Sequence, residues 1–159
     1  MKSIKRILLL FMVCLFLSGL TAIPIEPQLE WLLKVLPAEG ALPYWIKTVL
    51  RGYQYVQEHH PFLLYGYDWL AFAHFVLAIL FIGPYRDPLK NVWVIQFGII
   101  ACLLVIPYAF IAGYFRGIPF GWRLIDSAFG IGGLLLLVPV LRMTQQLTST
   151  IAHNQIKTV

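Results

Sequence analysis

Five residues of this sequence carry ionisable chemistry inside or at the rims of long apolar runs: Asp68, His74, Arg116, Arg123 and Asp126. An ionisable group at the centre of a membrane-spanning helix costs about 2.5–3.5 kcal/mol on insertion scales, so each needs a reason. Asp68 stands in Tyr67-Asp68-Trp69-Leu70-Ala71-Phe72-Ala73-His74, among aromatics of the kind that gather at a lipid–water interface. At a helix start its carboxylate can cap a backbone N–H and complement the helix dipole. His74 lies six residues further on, about 120° around a helix, so the two are not a same-face pair. It suits a proton carrier or ligand, or a histidine satisfied by one partner inside a bundle. Arg123 and Asp126, three apart, share a helix face and can pair. Arg116 closes the preceding run, and the short connection Gly117–Trp122 brings both arginines to one outer corner. Two guanidinium groups and one carboxylate leave a spare positive charge that could grip a lipid phosphate or another anion bidentately. The plainer role is anchoring, with the charged heads snorkelling to water. As a set, the five form a ligand-binding candidate if they face one cavity opening outward.

The remaining polar groups carry less. His59-His60 follows Glu58, but adjacent histidines do not share a helix face, and no metal site is expected there. HExxH, GxSxG, the P-loop and GxGxxG are absent from the sequence, so it implies no cofactor and no reactive centre. Cys14 and Cys102 lie in apolar runs without a CxxC and read as packing residues. Gly83-Pro84-Tyr85-Arg86-Asp87-Pro88 reads as a turn with Arg86 and Asp87 in solvent. Gln96 suits a hydrogen bond between helices. Pro107 and Pro139 each remove a helical hydrogen bond, and a kink is expected. Gly130, Gly132 and Gly133, with Ala109, Gly113 and Gly117, mark faces where helices can approach closely.

The elements that hold these residues follow from composition. Of 159 residues, 60% are hydrophobic and 12% charged, about half the charge of a soluble domain. Mean hydropathy is +0.78. A soluble enzyme, a disordered chain and a nucleic-acid binder are thereby disfavoured, and an all-α integral membrane protein is expected. The net charge of +5 comes from Lys and Arg scattered beside apolar runs, which suits orientation signals and anionic lipid, with no nucleic-acid partner. Four runs are long enough to span a bilayer, about residues 7–23, 67–83, 92–115 and 124–141. None alternates like a barrel strand, so the expectation is a single membrane domain, an antiparallel bundle of four transmembrane helices.

Orientation follows from the basic residues near the run ends. With the N-terminus inside, Lys2, Lys5, Arg6, Arg86, Lys90, Arg142 and Lys157 lie inside, and Lys34, Lys47, Arg51, Arg116 and Arg123 outside. The N-terminal cluster decides for N-in and C-in in the cell (inner) membrane, with residues 24–66 outside and a polar tail over 144–159. The first run, ending in Leu20-Thr21-Ala22, reads either as an uncleaved signal anchor or as a cleaved signal peptide. In the outside segment, Leu42, Trp45, Ile46, Val49, Leu50, Tyr53 and Val56 form one helical stripe opposite Lys47, Thr48, Arg51, Gln54 and Gln57. Leu29, Leu32, Leu33 and Leu36 form a shorter stripe, separated from the first by Gly40 and Pro43. One or two amphipathic extracytoplasmic helices are expected there, capping the bundle, lying on lipid or meeting a partner.

Asp68…His74-Phe75 with Arg123…Asp126…Gly130…Gly133 loosely resembles the polar pattern of VanZ-like membrane proteins over two spans. The Asp-to-His spacing differs, and the Glu–Gln pair of that family's third span is missing. The plan of four spans with a long first loop is also similar to EXPERA-type proteins, which bind or isomerise sterols, but the third span lacks the acidic residue that chemistry uses. Neither resemblance transfers a site. The sequence thus favours a non-enzymatic accessory or lipid-contacting envelope protein, with membrane lipids, a membrane-protein partner or a second copy as its contacts. The alternative is a lipid- or small-ligand-handling protein, an enzyme or carrier, built on the five polar residues.

Overall fold

The computed structural model describes residues 1–157 and is 86% helix, with no strand among those residues. The helices are α1 (Lys2–Leu20), α2 (Ile25–Val35), α3 (Ala41–His59), α4 (Tyr65–Leu80), α5 (Ile82–Arg86), α6 (Val92–Phe115) and α7 (Phe120–Lys157), with a 3₁₀ turn at Pro61–Leu64 before α4. Four stretches are long and apolar enough to cross a membrane: Lys2–Leu20, Pro61–Arg86, Val92–Phe115 and Phe120–Ile151. Helix α6 runs through Pro107 and α7 through Pro139. Helix α7 also continues past the apolar run, so the stretch read as a polar tail is helical to Lys157; residues 158–159 lie outside the described residues.

The chain divides into two compact units. The first contains Met1–Val13 and the chain from Ile79 onward. Its centre is the hairpin of α6 and α7. The turn between them is set by Gly117, the C′ residue of a Schellman motif. Gly117 takes φ 67°, its N–H donates to Tyr114 O at 3.2 Å, and the N–H of Ile118 donates to Gly113 O at 2.9 Å. Only four residues, Arg116–Pro119, separate the helices, fewer than the sequence led us to expect, because Phe120, Gly121 and Trp122 already belong to α7.

Glycines bring the hairpin together. A Cβ on Gly130 would sit 2.5 Å from the Cys102 carbonyl oxygen, and one on Gly98 would sit 2.6 Å from Phe81 Cζ and 2.7 Å from Leu137 Cδ1. Gly133 faces the Cys102 sulfur. Ile4, Leu8 and Phe11, spaced i, i+4, i+7 on α1, are buried in the same unit. The Phe11 and Phe81 rings lie 4.7 Å apart between centroids. Leu137, Val140 and Thr144, spaced i, i+3, i+7 on α7, are also buried. The Thr144 hydroxyl is satisfied by donating to Val140 O at 2.8 Å, as buried polar groups require.

The connection from α5 to α6 is held by side chains rather than left in solvent. Asp87 Oδ1 accepts the backbone N–H groups of Leu89 and Lys90, each at 3.1 Å. Asn91 Nδ2 donates to Asp87 O at 2.8 Å and to Gly83 O at 3.2 Å. Arg86 is exposed, and the Asp87 side chain, 41% exposed, bonds the turn's own backbone while still reaching solvent.

The second unit is Cys14–Ala78. Helices α2 and α3 pack together, and the 3₁₀ turn packs on α3. Leu29 of α2 and Pro43 and Ile46 of α3 are buried. Gln54 Nε2 donates to Glu26 Oε1 at 2.8 Å, tying the two helices side to side. On α3, Trp45, Val49, Leu50, Tyr53 and Val56 are half-buried, and Lys47, Thr48, Arg51, Gln54 and Gln57 are exposed. Leu42, at the start of that stripe, is exposed. The last turns of α1 meet α4 at Gly19, where a Cβ would lie 2.7 Å from Phe75 Cε1 and 3.0 Å from Ala71 O.

The glycines of α7 give a direct test. Gly130 abuts backbone, which cannot step aside, whereas Gly132 has nothing within 4 Å of an added Cβ. Gly130→Ala is expected to destabilise the protein in detergent by about 1–3 kcal/mol, as overpacking does. Gly132→Ala is expected to be neutral, or stabilising by up to about 1 kcal/mol, through helix propensity. Thermal unfolding of the two variants side by side checks this.

Candidate functional site

The five sequence-derived residues divide between the units: Asp68 and His74 in the second, Arg116, Arg123 and Asp126 in the first. Asp68 is not an N-cap. Helix α4 begins at Tyr65, directly after the 3₁₀ turn, so Asp68 is its fourth residue. It is exposed and has no hydrogen bond or ion pair among the described residues. In the first turn it still lies where the helix dipole favours an anion.

His74 is half-buried, and its Nδ1 lies 2.7 Å from the carbonyl oxygen of Leu70, one turn earlier on α4. A carbonyl only accepts, so Nδ1 is the donor in this contact. The His74 Cβ would lie 3.0 Å from a Cβ on Gly19. His74 is thus satisfied within its own helix at the place where α1 approaches. Nothing pairs it with Asp68.

At the α6–α7 corner the two arginines have different surroundings. Arg123 lies along the glycine surface of α6: its Cγ and Cδ would each stand 2.9 Å from a Cβ on Gly113. Its Nε donates to Ile118 O at 2.7 Å, and its guanidinium carbon lies 5.8 Å from the centroid of the Tyr114 ring, within cation–π range. Its own carbonyl oxygen accepts from the buried Ser127 hydroxyl at 2.8 Å. The anticipated Arg123–Asp126 ion pair does not form. The competing acceptor is Ile118 O, which the Schellman turn delivers to the arginine. Asp126 is half-buried with no hydrogen bond or ion pair among the described residues, and Arg116 is exposed and equally without a partner there.

The structure therefore does not gather Arg116, Arg123 and Asp126 into one anion clamp. Arg123 holds the hairpin closed, and Arg116 is the free cation of the corner. Around His59 and His60 the contacts are aromatic and local: His59 stacks on Tyr55 with centroids 4.3 Å apart, and its Nδ1 lies 3.0 Å from Tyr55 O. No group of three His, Cys, Asp or Glu side chains suited to a metal occurs among the described residues.

Two clefts escaped the sequence reading. One, of about 240 Å³ in the first unit, is lined by residues including Ser3, Ile4, Met143, Gln146, Leu147 and Thr150. The other, of about 230 Å³ in the second unit, is lined by residues including Ile25, Val49, Tyr53, Val56, Leu63 and Tyr67. In the second unit, too, the indole Nε1 of Trp45 is buried without a hydrogen-bond partner. The spacing of Met143, Leu147 and Thr150 (i, i+4, i+7) is visible in the sequence. That α1 lies opposite is not.

The two arginines give the next test. Arg123→Ala removes a charged hydrogen bond and the side chain lying over Gly113, and is expected to cost about 1–3 kcal/mol. Arg116→Ala touches nothing and is expected to stay within about 0.5 kcal/mol of the parent. Denaturation in a mild detergent, followed by tryptophan fluorescence, separates the two.

No protein-family model, curated protein or solved structure matches this chain.

Proposed function

We propose that the chain is a multi-pass protein of the cell membrane with a non-enzymatic role, making its principal contacts with lipid and serving as an accessory component of the envelope. The observation that carries this reading is helix α6. Its most apolar 18 residues have a mean hydropathy of 2.4, and although Ile95, Gly98, Cys102 and Gly113 are buried, the apolar side chains on its other side are exposed: Leu103 52%, Leu104 62%, Tyr108 72% and Ile111 60%. A helix that is hydrophobic on every side belongs in hydrocarbon or in the core of a large protein. We read hydrocarbon as the cover for this apolar surface, because three further helical stretches of the chain are also long and apolar enough to cross a membrane.

Threading with both ends inside draws support from the first unit, where the first turn of α1 and residues 143–150 of α7 line a common cleft. The α2–α3 pair then lies on the outer side as an amphipathic segment. The rival reading, a ligand-handling site on Asp68, His74, Arg116, Arg123 and Asp126, has less behind it, because Arg123 is committed to Ile118 O and His74 to Leu70 O.

Two measurements test the proposal. On alkaline carbonate extraction of membranes the full chain is expected in the pellet; release into the supernatant overturns membrane integration. In a background of Cys14→Ser and Cys102→Ala, a Gln54→Cys variant is expected to react with an impermeant maleimide on intact cells. A His153→Cys variant is expected to react only after permeabilisation. Labelling of both from the same side overturns the threading.

A further inference from the structure

The two units differ in charge. The first holds nine Lys and Arg against two acids, Asp87 and Asp126, while the second holds three against five. Asp126 sits near the start of α7, at the Arg123 end of the hairpin, whereas Asp87 belongs to the turn before α6. Contacts within the unit assemble the opposite end around that turn. Lys5 Nζ of α1 lies 5.7 Å from the centroid of the Tyr85 ring of α5. Ser3 and Ile4 share a cleft with Met143, Gln146, Leu147 and Thr150 of α7. The α5–α6 turn is stitched by Asp87 and Asn91.

This end therefore carries Lys2, Lys5, Arg6, Arg86, Lys90 and Arg142, and one carboxylate. That carboxylate is largely occupied: Oδ1 takes two backbone N–H groups, and Oδ2 lies 3.9 Å from Lys90 Nζ. Lys2, Arg6, Arg86 and Arg142 are exposed and have no ion pair among the described residues. The 240 Å³ cleft has apolar walls at Ile4, Met143 and Leu147 and hydroxyl or amide groups at Ser3, Gln146 and Thr150, and Lys2 and Arg142 directly precede its lining residues Ser3 and Met143 in the chain.

We propose that this end of the first unit is a binding site for anionic phospholipid, with the unpaired cations around the cleft holding the headgroup phosphate and the apolar wall receiving the glycerol and the start of an acyl chain. The inference rests on the lipid-contacting reading above and makes it specific, naming the lipid charge and the place. Cations beside an anionic leaflet act within a Debye length. A guanidinium meets a phosphate with paired N–H donors, which a zwitterionic headgroup partly cancels with its own ammonium. The clefted end offers both recognition elements, whereas the Arg116 corner offers one free arginine on an exposed turn.

Native mass spectrometry of the full chain, released from micelles doped with equal phosphatidylglycerol and phosphatidylcholine, tests the site. The expected result is a preference for bound phosphatidylglycerol on the order of tenfold. The preference should fall towards parity in a Lys2→Gln/Arg86→Gln/Arg142→Gln variant and persist in Arg116→Gln. In the unmodified chain, where no substitution can disturb folding or threading, raising NaCl from about 0.1 M to about 1 M should also weaken it. Equal retention of the two lipids, a preference unmoved by salt, or one unmoved by the triple substitution overturns the site. So does full displacement by inorganic phosphate, which would make free phosphate the ligand. A chain that pellets after carbonate extraction yet shows no lipid preference loses this site alone; a chain released by carbonate loses the membrane reading itself.

Discussion

Backbone N–H and C=O groups must be paired wherever water cannot reach them, and the helices and turns of this structure are organised by that demand. In hydrocarbon, where the proposed function puts the apolar runs, each unsatisfied group would cost several kcal/mol, and helices close those hydrogen bonds within the segment. The same demand falls on the connections. Where α6 ends, Gly117 in the left-handed region lets the N–H groups of Gly117 and Ile118 return to Tyr114 O and Gly113 O. The carbonyl this exposes on Ile118 is taken by Arg123. Where α6 begins, Asp87 and Asn91 do the corresponding work for the turn that precedes it. Side chains that look like functional candidates in a sequence are in these places completing the backbone.

On the membrane reading proposed above, packing cannot rely on expelling water, because lipid is as apolar as leucine; close approach and shape take over. Gly98, Gly130 and Gly133 let Phe81, Leu137 and the Cys102 backbone and sulfur come nearer than any side chain would allow. Cys102 is buried in this contact, consistent with a packing residue. Gly132, between two crowded glycines, has open space beside it. Its neighbours are informative because of the helix face they occupy, and a count of small residues alone would not separate them.

The helical architecture was legible because periodicity and length are local properties. The third apolar run, 92–115, coincides with α6 (Val92–Phe115), bounded by Asn91 on one side and Arg116 and Gly117 on the other. Helix α3 was legible from its stripe, although Leu42 at its start is exposed. The length of α7 was not, since the polar residues after Leu141 carry no breaker and also no apolar face continuous enough to demand a helix. The site was less legible still. Sequence spacing puts Arg123 and Asp126 on one face, but only the three-dimensional turn reveals that Arg123 Nε donates to Ile118 O instead. The burial of Ile4, Leu8 and Phe11 in the first unit likewise depends on residues that the chain reaches only after Ile79.

Arg116 and Arg123 show how little residue type decides. Both follow an aromatic residue, both stand at the same helix–helix corner, and both read as members of one anion clamp. Arg123 lies over Gly113, where the missing side chain leaves a channel for its methylenes, and the turn hands it a carbonyl oxygen at 2.7 Å. Arg116 is the residue just before the left-handed glycine, so its side chain leaves the helix where no partner on α7 meets it. A guanidinium already bonded to backbone is a poor phosphate receptor, because binding would cost it the hydrogen bond that closes the hairpin. The cations of this chain must therefore be sorted by what their neighbours have left them free to do. By that criterion the free ones of the first unit, among the described residues, are concentrated at the end where the carboxylate of Asp87 is itself bonded to backbone.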